Sequence, residues 1–276
     1  MSHFAKDDGL NIFRLPFGWQ YAVADNLGGP LDPTFMSTYD GMVQACLATG
    51  ASCILDVHNY ARWNGQIVGQ SSVSNDALVS LWTQLATEYA CEEDIIFGIM
   101  NEPHDLDTGS WATTASAVVS AIRSTGALSQ KILLPGNAWT SVGAFTTDSA
   151  PLLSSILDHD NTTDLLVYDI HQYLDNAGGT QAECLTDGTD SLAALATYLR
   201  ANGRQALLSE TGGGNTDSCL DMLCRELAYV GANQDVFLGW LGWAAGAFDD
   251  GYLLTETPVA GVDKKIVTRC IAGQFV

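Results

Sequence analysis

The chain has 276 residues, of which 47% are hydrophobic and 16% are charged. This composition is typical of a folded globular protein and excludes an intrinsically disordered chain. The 11 Lys and Arg residues are outnumbered by 32 Asp and Glu residues, so the formal net charge is −21. An acidic surface of this kind repels phosphate groups, which argues against nucleic acid and against an anionic membrane surface as partners.

The N-terminal stretch, MSHFAKDDGLNIF, has no basic region followed by an apolar region, so we expect no signal peptide within this chain. A run of 18 apolar residues is also absent from the sequence, so we expect no transmembrane helix.

The chain contains seven cysteines, and their spacing does not match a CxxC or a Cys/His metal motif. We interpret most of them as disulfides of a secreted, extracellular protein, with several buried reduced thiols as the alternative. Cys46 and Cys53 are close enough in sequence to close a local loop, and the odd count leaves one cysteine over, for which we choose Cys91. The remaining candidates lie in the C-terminal half: Cys184, Cys219, Cys224 and Cys270.

Seven short apolar runs follow one another along the chain, and their starts are roughly thirty to forty residues apart, the length of a strand–helix–strand unit. The runs are Asn11–Phe17, Ser52–Tyr60, Ile95–Pro103, Lys131–Asn137, Leu165–Tyr173, Gln205–Gly213 and Phe237–Gly246. The segments between them have helical character. Asn75–Ala90 has Asn75 as its predicted N-cap, Ser110–Gly126 ends in a glycine, and Ser2–Asp8 resembles the end of a helix.

Continuous apolar strands that alternate with helices predict a parallel sheet covered on both faces. Polar residues follow almost every strand at its C-terminal end, where a (β/α)8 TIM barrel carries its active site. A doubly wound nucleotide-binding sheet is disfavoured, because the sequence has no GxGxxG or GxxxxGK[ST] motif. We therefore predict an α/β fold, a (β/α)8 barrel that forms a single catalytic domain over residues 1–276.

One strand is missing from this count. Seven strands are predicted instead of eight, so the chain as given lacks the first β-strand of the barrel. An incomplete ring exposes strand edges, which predicts pairing with a partner or lowered stability.

Glu102 and Glu210 each close an apolar strand and lie 108 residues apart. In an eight-strand ring their strands face one another, which suits two carboxylates about 5 Å apart, the arrangement of a retaining glycosidase. A salt-bridged or helix-capping carboxylate is the ordinary alternative for each. Asp56 and Asp169 are rival carboxylates, but strand alternation places them deeper, where we expect structural hydrogen bonds.

His58, His171 and Tyr173 also lie at the C-terminal ends of predicted strands, and their ordinary interpretation is that of hydrogen-bonded core residues. The pairs Asp56-x-His58 and Asp169-x-His171 also resemble parts of a metal site. Because no His-x-His pair closes a strand, we predict no metal and no cofactor.

Three tryptophans lie beside the C-terminal ends of predicted strands, namely Trp63, Trp139 and Trp243. Core packing is one interpretation of these residues. We favour contact with sugar rings, whose C–H faces stack on aromatic side chains.

Six blocks of the sequence resemble those of glycoside hydrolase family 5, and most closely its fungal secreted endo-β-1,4-glucanases. The blocks are IFRLPFGWQY, LDVHNYARWNG, FGIMNEPHD, DIHQYLD, LSETGGGN and WLGWAAG, in the order of the family and over almost the whole chain. The Asn-Glu-Pro motif is shared by a wider clan of barrel glycosidases, whereas LDVHNYARWNG together with SETGGGN is far more specific.

The resemblance implies a role for each matching residue. Glu102 would be the general acid/base and Glu210 the nucleophile, and Asn101 would bind the 2-hydroxyl of the reacting sugar. Arg14 and Tyr173 would hydrogen-bond the nucleophile.

The resemblance also implies that His171 bonds Glu102, and that His58 and Trp243 hold the glucose unit beside the scissile bond. It further implies three disulfides, Cys46–Cys53, Cys184–Cys219 and Cys224–Cys270, with Cys91 unpaired.

The expected activity is therefore that of a retaining endo-β-1,4-glucanase that binds a β-1,4-glucan polysaccharide or a cello-oligosaccharide. Two alternatives stay open. One is a related β-glycanase that acts on mannan, xyloglucan or mixed-linkage glucan, and the other is an inactive, truncated carbohydrate-binding barrel.

Overall fold

The computed structural model describes residues 1–246, 249 and 251–273. The chain divides into two compact units, the first formed by Met1–Ser2 and Asn11–Asp169 and the second by His3–Leu10 and Ile170–Val276. That residues 1–276 act as one catalytic domain stays a prediction.

The secondary structure alternates between strands and helices, as the sequence predicts. The strands are β1 (Ile12–Phe17), β2 (Ser52–Val57), β3 (Arg62–Trp63), β4 (Gln66–Ile67), β5 (Ile95–Gly98), β6 (Lys131–Pro135), β7 (Leu166–Tyr173), β8 (Ala206–Gly212) and β9 (Phe237–Gly242). The helices are α1 (Ser2–Asp7), α2 (Trp19–Ala22), α3 (Pro33–Leu47), α4 (Asn75–Glu88), α5 (Thr108–Ser124), α6 (Val142–Asp148), α7 (Ala150–Leu153), α8 (Thr189–Asn202) and α9 (Asp217–Ala232). A 3₁₀ turn covers Ala138–Thr140, and a π-helical turn covers Val267–Ile271.

The sheet of the first unit has the strand order β1-β2-β5-β6-β7, and each neighbouring pair is parallel. Every residue of β5 is buried, and β2 is buried from Cys53 onward. Strands buried on both faces belong to a sheet that is covered on both sides, which is why these segments are continuously apolar. A separate antiparallel hairpin pairs β3 with β4.

Two buried tryptophans join helices of the first unit to the ends of its strands. The indole of Trp82 on α4 donates to the carbonyl of Ile99 at 3.0 Å, just past β5, and the indole of Trp111 on α5 donates to the carbonyl of Pro135 at 2.7 Å. Both side chains are fully buried, so each hydrogen bond satisfies a polar atom inside the core. The ends of β5 and β6 are therefore held by the helices behind them.

Side-chain caps mark the start of several helices. Asp32 accepts from the backbone N–H of Phe35 at the start of α3, where Pro33 occupies the first helical position. The prediction that Asn75 caps α4 is wrong: the N-cap is Ser74, and Asn75 is the first helical residue. The Asn75 side chain instead binds helix α5, since its Oδ1 accepts a hydrogen bond from the hydroxyl of Thr114 at 2.8 Å.

In the second unit β7 is followed by β8 and β9 in the order β7-β8-β9, and β8 pairs with β9 in parallel. Helices α8 and α9 flank this part of the chain, and two disulfides lie in it: Cys184–Cys219 and Cys224–Cys270. The first unit holds Cys46–Cys53, and Cys91 is a free, exposed thiol. These are the pairs that the family resemblance implies.

Within the described residues the main sheet has seven strands, and the first of them follows α1. The predicted number and order of strands are therefore confirmed. In the part of the chain that the structure describes, no helix is both long enough and apolar enough to cross a bilayer.

Candidate active site

Three neighbouring strands of the first unit carry four of the predicted site residues, three of them just past a C-terminal strand end. Arg14 lies in β1, His58 follows β2, and Asn101 and Glu102 follow β5. The backbone N–H of Asn101 donates to the carbonyl of Val57 at 2.8 Å, so the residues after β5 stay aligned with β2 beyond the end of the regular strand.

Arg14, Asn101, His58 and Asp56 form a closed ring of hydrogen bonds. Arg14 donates to Asn101 Oδ1 at 2.6 Å, and Asn101 Nδ2 lies 3.2 Å from His58 Nε2. His58 Nδ1 lies 2.8 Å from Asp56 Oδ2, which is in turn 3.1 Å from the Arg14 guanidinium. Because the amide donates to Nε2, the imidazole proton resides on Nδ1 and points at Asp56. The ring therefore fixes both the amide orientation of Asn101 and the tautomer of His58.

Glu102 is half-buried, and its φ of +41° lies in the left-handed region that L-residues rarely adopt. The loop after it is held on both sides: Trp139 N–H donates to Pro103 O at 3.0 Å, and Arg62 donates to His104 O at 2.8 Å. Backbone strain of this kind persists where the surrounding structure enforces it, and it occurs often at functional sites. The backbone at Glu102 is thus held in place by its neighbours.

Trp139 and Trp63 differ in what they offer to a ligand. Trp139 is 48% exposed and stacks on His104 at 4.6 Å with an interplanar angle of 7°. It borders an open depression of about 490 Å³ together with Leu106 and Asn137. Trp63 is 7% exposed and packs edge-on against the buried Trp19 at 5.1 Å. The structure therefore favours the sugar-contact interpretation for Trp139 and the core interpretation for Trp63.

In the second unit the C-terminal end of β7 places two side chains against Glu210 of β8. Glu210 is 3% exposed, and its Oε2 accepts from the hydroxyl of Tyr173 at 2.8 Å, the contact that the resemblance implies. His171 Nδ1 lies 3.5 Å from the same oxygen, while His171 Nε2 is 2.9 Å from the hydroxyl of Ser209. The carboxylate is thus oriented by two side chains of the adjacent strand β7, one of which is itself held by Ser209 of β8.

Behind this group lies a second buried carboxyl, Glu226 of α9. It accepts from Gln172 at 2.7 Å and from Thr211 at 2.7 Å. Gln172 lies between His171 and Tyr173 in sequence, and Thr211 follows Glu210. Burial raises the pKa of Glu226 to about 8, although the hydrogen bonds from Thr211 and Gln172 oppose the rise.

Two glycines after Glu210 are required by close packing. A Cβ at Gly212 would lie 2.8 Å from the carbonyl of Trp243, and a Cβ at Gly213 would lie 2.8 Å from Cys184 Sγ. Trp243 is itself half-buried, and its N–H donates to Thr211 O at 2.7 Å. The Gly-Gly pair therefore lets the Cys184–Cys219 disulfide and the segment after β9 approach the end of β8.

Sequence reasoning missed the positioning roles of Ser209, Glu226 and Arg62. The strand-end pattern contained Ser209 beside Glu210, but Glu226 and Arg62 lie outside the predicted strands. Asp56 makes structural hydrogen bonds, as expected, although its partners were not foreseen. Asp169 is buried at 2% exposure, and its backbone carbonyl accepts from the Thr140 hydroxyl.

Comparison with known proteins assigns the family. The model of the cellulase family, glycosyl hydrolase family 5, matches residues 1–246. The chain belongs to this family. It is 53% identical to the endoglucanase EG-II of Hypocrea jecorina over 99% of the chain and 67% of that protein.

Solved structures agree with this assignment. The crystal structure of Cel5A (EG2) from Hypocrea jecorina matches with a TM-score of 0.96 and 51% identity, over 99% of this chain and 85% of that one. XacCel5A in complex with cellopentaose matches with a TM-score of 0.91 and 35% identity, over 98% and 87% of the two chains.

The predictions of a family 5 glycoside hydrolase and of the (β/α)8-barrel fold class are confirmed, with seven barrel strands within the described residues. This family 5 chain is an enzyme of the cellulase type.

Proposed function

We propose that this chain is a secreted endo-β-1,4-glucanase that cuts internal bonds of cellulose-like chains with retention of configuration, using Glu102 and Glu210. The observation that carries the proposal is the environment of Glu210, a buried carboxylate that accepts a hydrogen bond from Tyr173 at 2.8 Å at the end of a strand. Support for the substrate comes from relatives named endoglucanases and from a family member solved with cellopentaose. The three disulfides support an extracellular location.

In the first step Glu210 attacks the anomeric carbon, and the bond to the leaving oxygen breaks. Glu102 gives its proton to that oxygen, so the departing sugar chain leaves as a neutral alcohol. The product on the protein is a glycosyl ester of Glu210. Tyr173 holds the attacking oxygen in place through its hydroxyl.

In the second step Glu102, now a carboxylate, takes a proton from water as the water attacks the anomeric carbon. The ester bond to Glu210 breaks, and the sugar is released with its original configuration. Asn101 is oriented by the hydrogen-bonded ring, so its second amide N–H is presented to the sugar hydroxyls without further ordering cost. His58 uses both ring nitrogens within that ring and holds the amide in place.

The two carboxyls are tested by the variants Glu210→Gln and Glu102→Gln. Release of reducing ends from carboxymethylcellulose should fall by on the order of 10⁴ or more for Glu210→Gln, and by about 10²–10⁴ for Glu102→Gln. With 2,4-dinitrophenyl β-cellobioside, which needs no proton to leave, Glu102→Gln should still form the glycosyl-enzyme. A 2-fluoro-cellobioside should label wild-type protein on the peptide that carries Glu210.

Glu183→Gln serves as the control, because Glu183 is exposed and bonds only to Ser218 among the contacts described. Its activity should equal that of the wild type. Proton NMR of cellopentaose hydrolysis should show the β-anomer first, and initial release of the α-anomer would refute the retaining mechanism.

Wild-type activity on mannan alone would reject the glucan assignment, and xyloglucan and mixed-linkage glucan are the further comparisons. If the wild type and Glu210→Gln are equally inactive while both bind cello-oligosaccharide, the chain is a binding protein.

A further inference from the structure

The second unit holds a cluster of three potential metal ligands that has no part in the proposed reaction. His3 Nε2 lies 2.8 Å from Asp263 Oδ1 and 3.8 Å from Asp8 Oδ2. All three atoms are within 4.8 Å of one another. Two of the residues lie in or just after α1, and the third precedes the final π-helical turn, so the cluster joins segments more than 250 residues apart.

Asp8 provides an independent indication of a missing partner. Its side chain is 9% exposed, and its Oδ2 accepts no hydrogen bond from any described residue. A carboxylate oxygen that is removed from water without a donor costs free energy, whereas a cation beside it would remove that cost. This oxygen lies 3.8 Å from His3 Nε2, so it faces the cluster.

Asp7 prepares His3 to act as a ligand. Asp7 Oδ2 lies 2.7 Å from His3 Nδ1, on the side of the ring away from the cluster. A carboxylate that accepts from one imidazole nitrogen fixes the ring and leaves the other nitrogen as the donor to a metal, the arrangement found behind most metal-bound histidines. Without a metal, His3 Nε2–H donates a hydrogen bond to Asp263. When a metal binds to Nε2, this proton is released to solvent.

We propose that His3, Asp8 and Asp263 form a structural binding site for a divalent transition-metal ion of the Mn²⁺ and Zn²⁺ class. One imidazole and two carboxylates match the ligand preference of these ions. Metal–ligand bonds of about 2.0–2.2 Å place ligand atoms roughly 3–4 Å apart, close to the separations of 2.8 Å and 3.8 Å to His3. His3 is 35% exposed, which leaves room for water as a further ligand. The net charge of −21 raises the local concentration of cations.

The bound ion would fasten the N-terminal segment to the segment at Asp263. The test uses the full chain after treatment with chelator and dialysis. Titration with Mn²⁺ followed by electron paramagnetic resonance should show one saturable site, and Zn²⁺ should displace the Mn²⁺. Mg²⁺ and Ca²⁺ should displace it only at much higher concentration, because neither favours imidazole. The midpoint of thermal unfolding should rise with Mn²⁺ concentration.

Variants assign the site. His3→Gln and Asp8→Asn should abolish the saturable binding, and Asp7→Asn should weaken it by about tenfold, the usual effect of losing the carboxylate behind a histidine ligand. His159→Gln is the matched control: His159 is 37% exposed and also lies beside an aspartate, Asp158, at 3.0 Å. It should bind Mn²⁺ like the wild type.

A measurement on the wild type alone guards against a variant that fails to fold. Substoichiometric Mn²⁺ should broaden the imidazole NMR signals of His3 and leave those of His159 sharp. The proposal is refuted if the His3 signals stay sharp, or if Mn²⁺ binding is unchanged in both His3→Gln and Asp8→Asn, in which case the cluster is a network of charges only.

Discussion

At the scale of single residues, Asp56 shows how one carboxylate organises several groups of the site. It is 1% exposed, and its Oδ2 lies within hydrogen-bond distance of both His58 and Arg14. The Asp56 carboxylate compensates the charge of the buried Arg14 guanidinium. It also accepts from the imidazole N–H and thereby sets the tautomer of His58. The adjacent Asn101 is oriented through the same ring.

We therefore expect Asp56→Asn to act on both stability and activity. Removing one partner of a buried ion pair leaves the Arg14 charge less compensated, which should lower the free energy of unfolding by about 3 kcal/mol. Long-range ¹H–¹⁵N NMR should show the His58 proton move from Nδ1 toward Nε2, and kcat/KM should fall. An unchanged tautomer would contradict the ring. Asp160→Asn, on an exposed loop, is the control.

Glu256 is a buried carboxyl whose replacement should raise stability, in contrast to the replacement of Asp56. It is 6% exposed, its Oε1 has no hydrogen-bond partner among the described residues, and burial raises its pKa from 4.5 to about 8, opposed by the charge of Lys264. A carboxyl whose folded pKa is raised loses stabilisation as the pH climbs from about 4.5 to 8. The full shift corresponds to at most about 5 kcal/mol.

Glu256→Gln removes this penalty. We expect a higher midpoint of thermal unfolding than the wild type at pH 8 and a nearly equal midpoint at pH 4, measured by calorimetry. Glu183→Gln, an exposed glutamate, should show no such difference between the two pH values. An equal gain for Glu256→Gln at both pH values would argue against a buried neutral acid.

The sequence predicted most strongly the residues whose position follows from the end of an apolar strand. Asn101, Glu102 and Glu210 are of this kind, because a polar residue directly after a continuous hydrophobic run lies where a barrel strand leaves the core. The burial of Trp63 and the support that Glu226 gives to Gln172 and Thr211 were not predictable. These contacts join elements far apart in the chain, and no local pattern encodes them.

At the scale of elements, side-chain caps satisfy free N–H groups at the starts of α3, α5 and α9. Asp32 accepts from Phe35 N–H at 2.7 Å and so satisfies one of the free N–H groups at the start of α3. Asp32→Ala should lower the free energy of unfolding by about 1 kcal/mol. Asp32→Asn should retain most of the stability that Asp32→Ala loses, since asparagine caps equally well. Urea unfolding of the two variants checks this, and equal losses would show that the charge matters more than the cap.

Length explains which elements the sequence predicted. The long apolar strands and the helices α4 and α5 have enough periodicity to be recognised. The two-residue strands β3 and β4 and the four-residue helices α2 and α7 do not, because so few residues carry no period. The cap of α4 was assigned one residue late for a similar reason: Ser74 and Asn75 are both favourable cap residues, and the contact with Thr114 decides between them.

At the scale of the whole molecule, the titrating groups predict an acidic optimum of stability. Burial raises the pKa values of Glu226 and Glu256 to about 8. The stability that these two neutral carboxyls contribute is therefore fully present below about pH 4.5 and is lost as the pH rises toward 8. Asp158 acts at the other end. Burial favours a higher pKa for it, but hydrogen bonds from Arg123 and His159 lower its pKa below 3.8, so its contribution is lost as the pH falls further.

We therefore expect the midpoint of thermal unfolding to be highest at about pH 4–5. The negative net charge adds to the decline on the alkaline side, because self-repulsion grows as carboxyls ionise. Calorimetry between pH 3 and 9 at constant ionic strength measures the curve. A maximum above pH 7 would contradict the raised pKa values of the two buried glutamates.

The pairing of six cysteines leaves Cys91 as a single exposed thiol. One free thiol on the surface is a single site for thiol-specific labelling. A maleimide dye or a nitroxide can be attached there without mutagenesis, provided that no reductant opens the disulfides. The native chain is therefore ready for single-molecule fluorescence or distance spectroscopy, in which the labelled position is known in advance and is the same in every molecule.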